Sequence, residues 1–356
     1  EGGRADGGLP GAGGAQRMSA RESIIPVFVP HLGCPNDCVF CNQRRISGST
    51  VPATAEDVEK AIEDAAALPR TGAKRQLAFY GGSFTAIPIH EQTALLAAAK
   101  AHLDSGDIDA IRLSTRPDAI DGAVLKRLKA YGVETIELGA QSMCEEVLQL
   151  AGRGHTALDV EKASLMIREA GFRLILQMMT GLPGDSVERS VETAKRIIAL
   201  KPDGVRIYPT VIVRDTALFD LWKAGRYKEH TVEDAVEYCA RLVPLFDAAG
   251  IPVIRLGLNP TEELSGGAAA GGAYHPALGE LVKSRIMLER AEAQLRGTER
   301  GSAVVLGVAA SKMSQLIGQH RQNAEKLTHE FGLRSLKIKP ADVSGDEIVI
   351  LSVEKE

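Results

Sequence analysis

Three cysteines lie close together near the start of the chain, in the run His31-Leu-Gly-Cys34-Pro-Asn-Asp-Cys38-Val-Phe-Cys41. Thiolates on one short loop can converge on a single metal centre. Structural zinc takes four protein ligands, and His31 is available as the fourth, so a zinc site is one interpretation. A redox pair of the thioredoxin type would leave the third cysteine without a role. Three thiolates on a four-iron cluster leave one iron open to a small molecule, and the triplet favours this interpretation.

The composition excludes several classes of protein. The chain has 356 residues, of which 44% are hydrophobic and 25% charged, with a net charge of −4. These values are typical of a folded globular protein. Its five cysteines are too few to hold a fold of this size by disulfides. Its apolar runs fall short of the about 20 residues that a membrane span needs, so no membrane partner is expected. The charge disfavours a histone-like nucleic-acid binder but allows a local basic patch.

Strand-like and helix-like segments alternate through most of the chain. Strands are predicted at 24–29, 77–80, 111–114, 135–138, 174–178 and 205–208, and helices at 55–67, 90–103, 123–131, 157–170 and 187–200. Such alternation predicts βα units and a parallel sheet. The interpretation is an α/β fold with a partial (β/α)6 barrel, and a doubly wound sheet is the alternative. In both, chemistry gathers at the carboxyl ends of the strands.

Polar and glycine-rich residues follow those strand ends. The first strand leads into the cysteines, the second into Gly81-Gly82-Ser83, the third includes Ser114 and leads to Arg116, and the fourth leads to Gln141. For Ser114, Arg116 and Gln141, ordinary hydrogen bonding across the rim of the barrel is the alternative to ligand binding.

Four regions are expected along the chain. Residues 1–23 form a glycine-rich disordered extension, and residues 24–260 form the barrel. Residues 261–300 form a linker and a helix, in which the glycine-rich patch 265–273 is a mobile loop and 278–295 is helical. Residues 301–356 form a small α+β domain.

The cysteine spacing resembles the signature of radical S-adenosylmethionine (SAM) enzymes, with Phe40 just before the last cysteine and Tyr80-Gly-Gly-Ser-Phe84 after the second strand. The resemblance implies a [4Fe-4S] cluster on Cys34, Cys38 and Cys41, and reductive cleavage of SAM to a 5′-deoxyadenosyl radical. It implies that SAM is bound by the cofactor-binding positions Phe40, Gly81, Gly82, Ser83, Ser114, Arg116 and Gln141. It also implies an electron donor such as flavodoxin or ferredoxin and a reducing, cytoplasmic location.

Residues 114–118, 136–142, 179–184 and 205–214 resemble the Elongator catalytic subunit family. That family modifies the wobble uridine of transfer RNA (tRNA) with a radical made on acetyl-coenzyme A, so the resemblance implies a tRNA or other RNA partner. The family has a wider spacing at the first cysteine, and this chain ends where an acetyltransferase domain would follow. A shortened, Elongator-like protein is therefore expected, with acetyl-coenzyme A left unassigned.

Near the C-terminus, a strand at 303–308, helices at 311–318 and 321–331 and a strand at 336–339 resemble a KH module, which clamps single-stranded RNA. Residues 312–339 contain six Lys or Arg against two Glu, a net charge of +4. Candidate RNA contacts are Lys312, Gly318, Gln319, His320 and Arg321, although Arg321 stands where the KH loop has its second glycine. A small capping domain with a solvated basic face is the alternative.

Three functions are consistent with these patterns. The favoured hypothesis is a radical SAM enzyme that modifies a tRNA base. The second is the same chemistry on a small molecule or tetrapyrrole, similar to oxygen-independent coproporphyrinogen oxidase. The third is a non-catalytic RNA-binding protein with a structural cluster. The glycine turn at 81–83 disfavours the third, because a structural cluster needs no amine-binding turn.

Overall fold

The structure is a computed structural model that describes residues 22–29, 38–41, 52–67, 69, 72–258 and 264–355. Cys34, His31 and nearly all of the predicted N-terminal extension lie outside the described residues. The first strand begins at Glu22, so Glu22 and Ser23 belong to the sheet and not to the extension. Glu22 is held there by ion pairs to Arg112 and Arg173, at 3.3 and 3.2 Å.

A parallel sheet of seven strands forms the main body of the described chain. Its strands are β1 (Glu22–Val29), β2 (Lys74–Gly81), β3 (Ala110–Thr115), β4 (Val133–Gln141), β5 (Arg173–Thr180), β6 (Gly204–Pro209) and, after a separate short strand β7 (Val211–Val213), β8 (Val253–Leu256). The spatial order is β1-β2-β3-β4-β5-β6-β8. Because this order follows the chain without reversal, the partial barrel is confirmed and the doubly wound alternative is wrong. The six predicted strands are present, and β8 extends the sheet by one.

Helices lie between the strands of the barrel along the chain. They are α1 (Ala55–Ala66), α2 (Ile89–Ser105), α3 (Gly122–Ala130), α4 (Glu145–Leu150), α5 (Ala157–Glu169), α6 (Val187–Ala199), α7 (Ala217–Lys223) and α8 (Val232–Ala248). Reciprocal capping boxes start α1, α5 and α8, each with a threonine and an aspartate three residues later. The first is the predicted Thr54–Asp57 pair. No helix among the described residues is long and apolar enough to cross a membrane.

The glycine-rich patch near residue 270 is partly ordered, contrary to the mobile loop expected there. Residues Ala269–Gly272 form strand β9, which pairs antiparallel with β7. Gly272 has a φ of +84°, and a Cβ on it would lie 2.7 Å from the carbonyl oxygen of Thr210. Glycine is therefore needed here for close approach of two backbones, not for mobility.

A small C-terminal unit follows α9 (Leu278–Leu295). It contains β10 (Ala303–Val308), α10 (Met313–Ile317), α11 (Gln322–Glu330), β11 (Ser335–Pro340) and β12 (Ile348–Glu354). The sheet order is β11-β10-β12, with β10 parallel to β11 and antiparallel to β12. The first predicted helix is shorter than expected, because a 3-10 turn at Ala310–Lys312 precedes it.

Helix α9 belongs to two hydrophobic cores. Leu278, Val282 and Ile286 join the core of the barrel. From the next residue on, Met287, Leu288, Ala291 and Leu295 join the core of the C-terminal unit. The C-terminal unit is thus attached to the barrel by one helix that both cores share.

Candidate active site at the carboxyl edge of the sheet

The described part of the cysteine loop, residues 38–41, is tied down by backbone hydrogen bonds. Val39 N–H donates to Ala151 O at 3.0 Å, and Leu218 N–H donates to Val39 O at 2.7 Å. Cys41 N–H donates to Cys38 O at 3.0 Å and closes a turn. Cys38 and Cys41 are therefore presented from a fixed turn above the ends of the strands.

Phe40 anchors this turn by packing. It contacts one apolar cluster that contains Val147 and Leu182 and a second that contains Ile212 and Leu218. Its expected contact with SAM stays a prediction, since the structure shows its packing and carries no ligand.

Arg153 joins the cysteine turn to the sheet, and the sequence analysis did not find it. Its Nη1 donates to Cys38 Sγ at 3.3 Å, and its Nη2 donates to the carbonyl oxygen of Gly139, on β4, at 2.8 Å. The side chain is buried. The only local signal was a polar run, Arg153-Gly-His155, after the helix that follows β4. Arg153 therefore holds a predicted cluster ligand, Cys38, against the end of β4.

The glycine turn after β2 depends on glycine at Gly81. This residue has a φ of +102°, and a Cβ on it would lie 2.7 Å from the carbonyl oxygen of Val29. The same carbonyl accepts a hydrogen bond from Gly82 N–H at 2.8 Å. The turn is therefore pressed against the end of β1, the strand that leads into the cysteines.

Ser83, Ser114 and Arg116 all make contacts within the protein. Ser83 Oγ lies 2.8 Å from Thr115 Oγ1 and accepts from Arg116 N–H at 3.1 Å. The guanidinium of Arg116 binds Asp118 at 2.9 Å and the carbonyl oxygen of Arg153 at 2.6 Å. Ser114 Oγ is 3.5 Å from Phe79 O. Arg116 thus positions the loop that bears Arg153, and direct contact of these three residues with SAM stays a prediction.

Gln141 lies beside Arg153 at the end of β4. A Cβ on Gly139 would be 2.9 Å from Gln141 Nε2 and 3.3 Å from Arg153 Nη2, so both side chains meet over this glycine. Gln141 has a φ of +63°, uncommon for a residue with a side chain. Its Oε1 is buried and accepts no hydrogen bond from the part of the chain that is described. An acceptor left open beside a guanidinium suits a polar ligand.

His155 carries no charge near neutral pH. Burial lowers its pKa to about 4, and the neighbouring Arg153 contributes in the same direction. One ring nitrogen, Nε2, lies 3.1 Å from the carbonyl oxygen of Ala140 and donates to it. The edge of β4 therefore carries the positive charge of Arg153 and a neutral imidazole.

The inner face of the sheet carries a buried ionic cluster centred on Glu137 of β4. Arg206 Nε lies 2.8 Å and Arg112 Nε 3.3 Å from its carboxylate. Tyr80 O–H and Gln177 Nε2 donate to it at 2.9 and 3.0 Å. Burial, and then the charge of Glu137, raise the pKa of Tyr80. Strands β2 to β6 each supply one side chain to this cluster. The polar groups inside the barrel therefore bind one another.

The fold and the residues at the carboxyl edge of the sheet are similar to those of known proteins. Residues 28–197 match the Radical SAM superfamily, and residues 202–287 match the Radical_SAM C-terminal domain. The chain belongs to the radical SAM superfamily. The cysteine turn, the glycine turn and Arg153 all lie within the first match.

Within this superfamily the chain resembles Elongator proteins. It is 31% identical to human "Elongator complex protein 3" over 204 residues, which is 52% of this chain and 37% of the human protein. It is 33% identical to the "tRNA uridine(34) acetyltransferase" of Methanocaldococcus infernus over 141 residues, 38% of this chain and 26% of that protein. The chain thus spans less than two fifths of the length of either relative.

A solved structure shows the same fold. The archaeal Methanocaldococcus infernus Elp3 with an N-terminal deletion superposes with a TM-score of 0.59 at 23% identity, covering 79% of this chain and 66% of that one. The C-terminal unit from β10 onward lies outside both family matches. The radical SAM assignment therefore describes the barrel and the first part of α9.

The candidate RNA contacts lie in that C-terminal unit. Lys312 forms an ion pair with Asp346 at 2.7 Å. Gly318, Gln319, His320 and Arg321 form the loop between α10 and α11. His320 and Arg321 both have left-handed backbones, with φ of +49° and +66°. Arg321 therefore occupies the conformation that glycine favours, at the position where a KH loop has glycine.

Proposed function

We propose that this chain is a radical SAM enzyme that holds a [4Fe-4S] cluster on Cys34, Cys38 and Cys41 and modifies a tRNA base. The observation that carries the proposal is the convergence of the cysteine turn, Arg153 and Gln141 at the carboxyl end of β4, beside the glycine turn of β2. Radical SAM proteins use a cluster and SAM, and three thiolates suit a cluster with one open iron. One of the three, Cys38, lies beside the buried Arg153.

When bound, the cluster supplies one-electron reduction of the SAM sulfonium. The residues of this chain bind and orient the two partners. The carbonyl oxygens of the 81–83 turn are acceptors for the amino group of SAM. The Arg153 guanidinium and the open Gln141 acceptor are matched to its carboxylate and ribose hydroxyls. The packing of Phe40 holds the cysteine turn against two apolar clusters.

The tRNA substrate is supported by the relatives, one of which is a tRNA uridine(34) acetyltransferase. Because the match covers 26% of that protein, the group added to the base is left open. An electron donor such as flavodoxin or ferredoxin is needed for the first step, since no redox group of the chain's own amino acids has a low enough potential. That donor and a reducing, cytoplasmic location belong to this proposal.

The test is anaerobic. The protein is reconstituted with iron and sulfide, SAM and dithionite are added, and 5′-deoxyadenosine is quantified by chromatography. Cys38→Ala should abolish release. Cys239→Ala is the matched control, because Cys239 is buried in α8, away from the site. No release by a wild-type protein with four irons per chain would contradict the proposal.

A second arm tests the substrate. Unmodified tRNA should stimulate 5′-deoxyadenosine release, and nucleoside mass spectrometry should detect one altered base. If neither occurs while SAM is still cleaved, the tRNA assignment is wrong and the radical SAM assignment stands.

A further inference from the structure

A groove of about 630 Å³ lies in the C-terminal unit, on the side formed by α11 and the edge strand β11. Ala324, Leu333 and Leu336 make an apolar floor, and the remaining lining residues are polar, glycine or charged: Arg300, Arg321, Glu325, Thr328, His329 and Gly332. The groove therefore combines three apolar side chains with two arginines and one carboxylate, Glu325.

The cations of the C-terminal unit divide into those that form ion pairs and those that form none. Lys312, Lys326 and Lys355 each form an ion pair, with Asp346, Glu292 and Glu299, at 2.7, 2.8 and 2.7 Å. Arg300 and Arg321 form no ion pair with any residue that the structure describes. Lys337 and Lys339 on β11 likewise form no ion pair among the described residues, so the charges on this side of the unit are available to an anionic ligand.

The start of α11 adds donors to the same end of the groove. Arg321 is the N-cap of this nine-residue helix, and no side chain caps its first turn. The backbone N–H groups of that turn, with the positive end of the helix dipole, favour a phosphate beside Arg321. The remaining cations of β11, Lys337 and Lys339, are exposed along the same edge strand.

We infer that this groove binds a single-stranded segment of RNA, with phosphates on Arg300, Arg321 and the start of α11 and bases against Ala324, Leu333 and Leu336. Spaced cations above an apolar floor fit a polynucleotide, whose charges and flat bases alternate along its length. The inference deepens the proposed function, because it names the surface that holds the RNA substrate. Helix α9 keeps this surface at a fixed position relative to the barrel.

The groove is tested by fluorescence anisotropy with full-length protein and labelled ten-nucleotide RNA and DNA strands of the same sequence. The variant is Arg300→Gln/Arg321→Gly, in which glycine retains the left-handed backbone at position 321 without strain. Lys326→Gln/Lys355→Gln removes the same charge from paired positions and is the control. Urea midpoints show that all three proteins are folded.

The wild type should bind RNA more tightly than DNA, and the groove variant should bind RNA at least about tenfold more weakly, whereas the control should not. The slope of log affinity against log salt should fall by about 1.4 in the groove variant. Unchanged RNA affinity in the groove variant, or binding of DNA as tight as RNA, would overturn the inference.

This result is independent of SAM chemistry. Without RNA, the groove variant should release 5′-deoxyadenosine at the wild-type rate. Lost RNA binding with intact SAM cleavage supports the groove. If the wild type does not cleave SAM but its RNA binding still depends on the two arginines, the proposed function is contradicted and the groove inference stands.

Discussion

The guanidinium of Arg153 donates a hydrogen bond to Cys38 Sγ at 3.3 Å, although the two residues are 115 positions apart in sequence. The other terminal nitrogen of Arg153 binds the carbonyl oxygen of Gly139. One buried cation therefore fixes the cysteine turn to the central strand of the barrel. Arg116 supports the backbone of Arg153 itself, so the contact does not depend on one flexible side chain.

Replacement of Arg153 by Gln should impair SAM cleavage more than cluster assembly. The cysteines remain, so iron and sulfide content should stay near wild type. Loss of a charged hydrogen-bond donor corresponds to about 1.5–3 kcal/mol, so 5′-deoxyadenosine release should fall by at least about tenfold. Arg168→Gln, at an exposed arginine that binds the carbonyl oxygen of Leu200, is the control. Equal release from wild type and Arg153→Gln would refute a role for this residue.

Replacement of Gly81 by Ala should disrupt the glycine turn. The new Cβ would press on the Val29 carbonyl in a backbone conformation that alanine avoids, which should lower the free energy of unfolding by about 3 kcal/mol. Gly106→Ala is the matched control, since Gly106 has a φ of +83° but open space around it. Gly106→Ala should lower the free energy of unfolding by about 1 kcal/mol. Urea unfolding measures both, and equal costs would show that contact with Val29 is unimportant.

Replacement of Glu137 by Gln should destabilise the barrel, because the buried Arg206 would lose its counter-charge and Arg112 would keep only Glu22. The expected loss is about 3–5 kcal/mol. Glu134→Gln on the same strand is the control. Glu134 pairs with Lys74 at 2.7 Å, but both side chains are about one-third exposed, so its loss should be at most about 1 kcal/mol. A cost for Glu137→Gln no larger than for Glu134→Gln would mean that water reaches the ionic cluster.

His230 should make stability depend on pH. Burial lowers its pKa to about 4 in the folded protein, from 6.5. The unfolded chain therefore binds the proton first as the pH falls. The free energy of unfolding should therefore be unaffected by protonation of His230 above pH 6.5. It should fall by up to about 3 kcal/mol as the pH is lowered towards 4.

The measurement compares urea unfolding of wild type and His230→Gln between pH 7.5 and about 4.5. Asp185, whose pKa burial raises, is present in both proteins. The charge of His230 also lowers the pKa of Asp234, so the difference reports His230 together with its effect on Asp234. The curve of the variant should be flatter. Parallel curves would show that the pKa of His230 is the same in the folded and the unfolded chain.

Local patterns predicted the strands and the cysteine triplet because both are readable over a few residues. The same patterns placed the glycine turn at 81–83 after the second strand. Arg153 was missed because its partners lie on another strand and on a loop far away in sequence. Nothing in a lone arginine after a short helix marks it as a neighbour of Cys38.

Charged residues inside the barrel were equally hidden. Arg112, Glu137 and Arg206 alternate with apolar residues along their strands, a pattern that also fits a face exposed to water. Only the sheet topology shows that the five polar side chains meet. The ordered strand at Ala269–Gly272 was missed for a related reason. A glycine-rich segment fits both a mobile loop and a strand in close contact with another backbone.

Helix α9 has a consequence for how the chain loses its structure. Its first two turns complete the core of the barrel, and its later turns complete the core of the C-terminal unit. Unfolding of either part would expose the hydrophobic core of the other. The two parts should therefore unfold in a single cooperative transition and not one after the other. A protease would then find no stage at which the barrel survives while the C-terminal unit is already open.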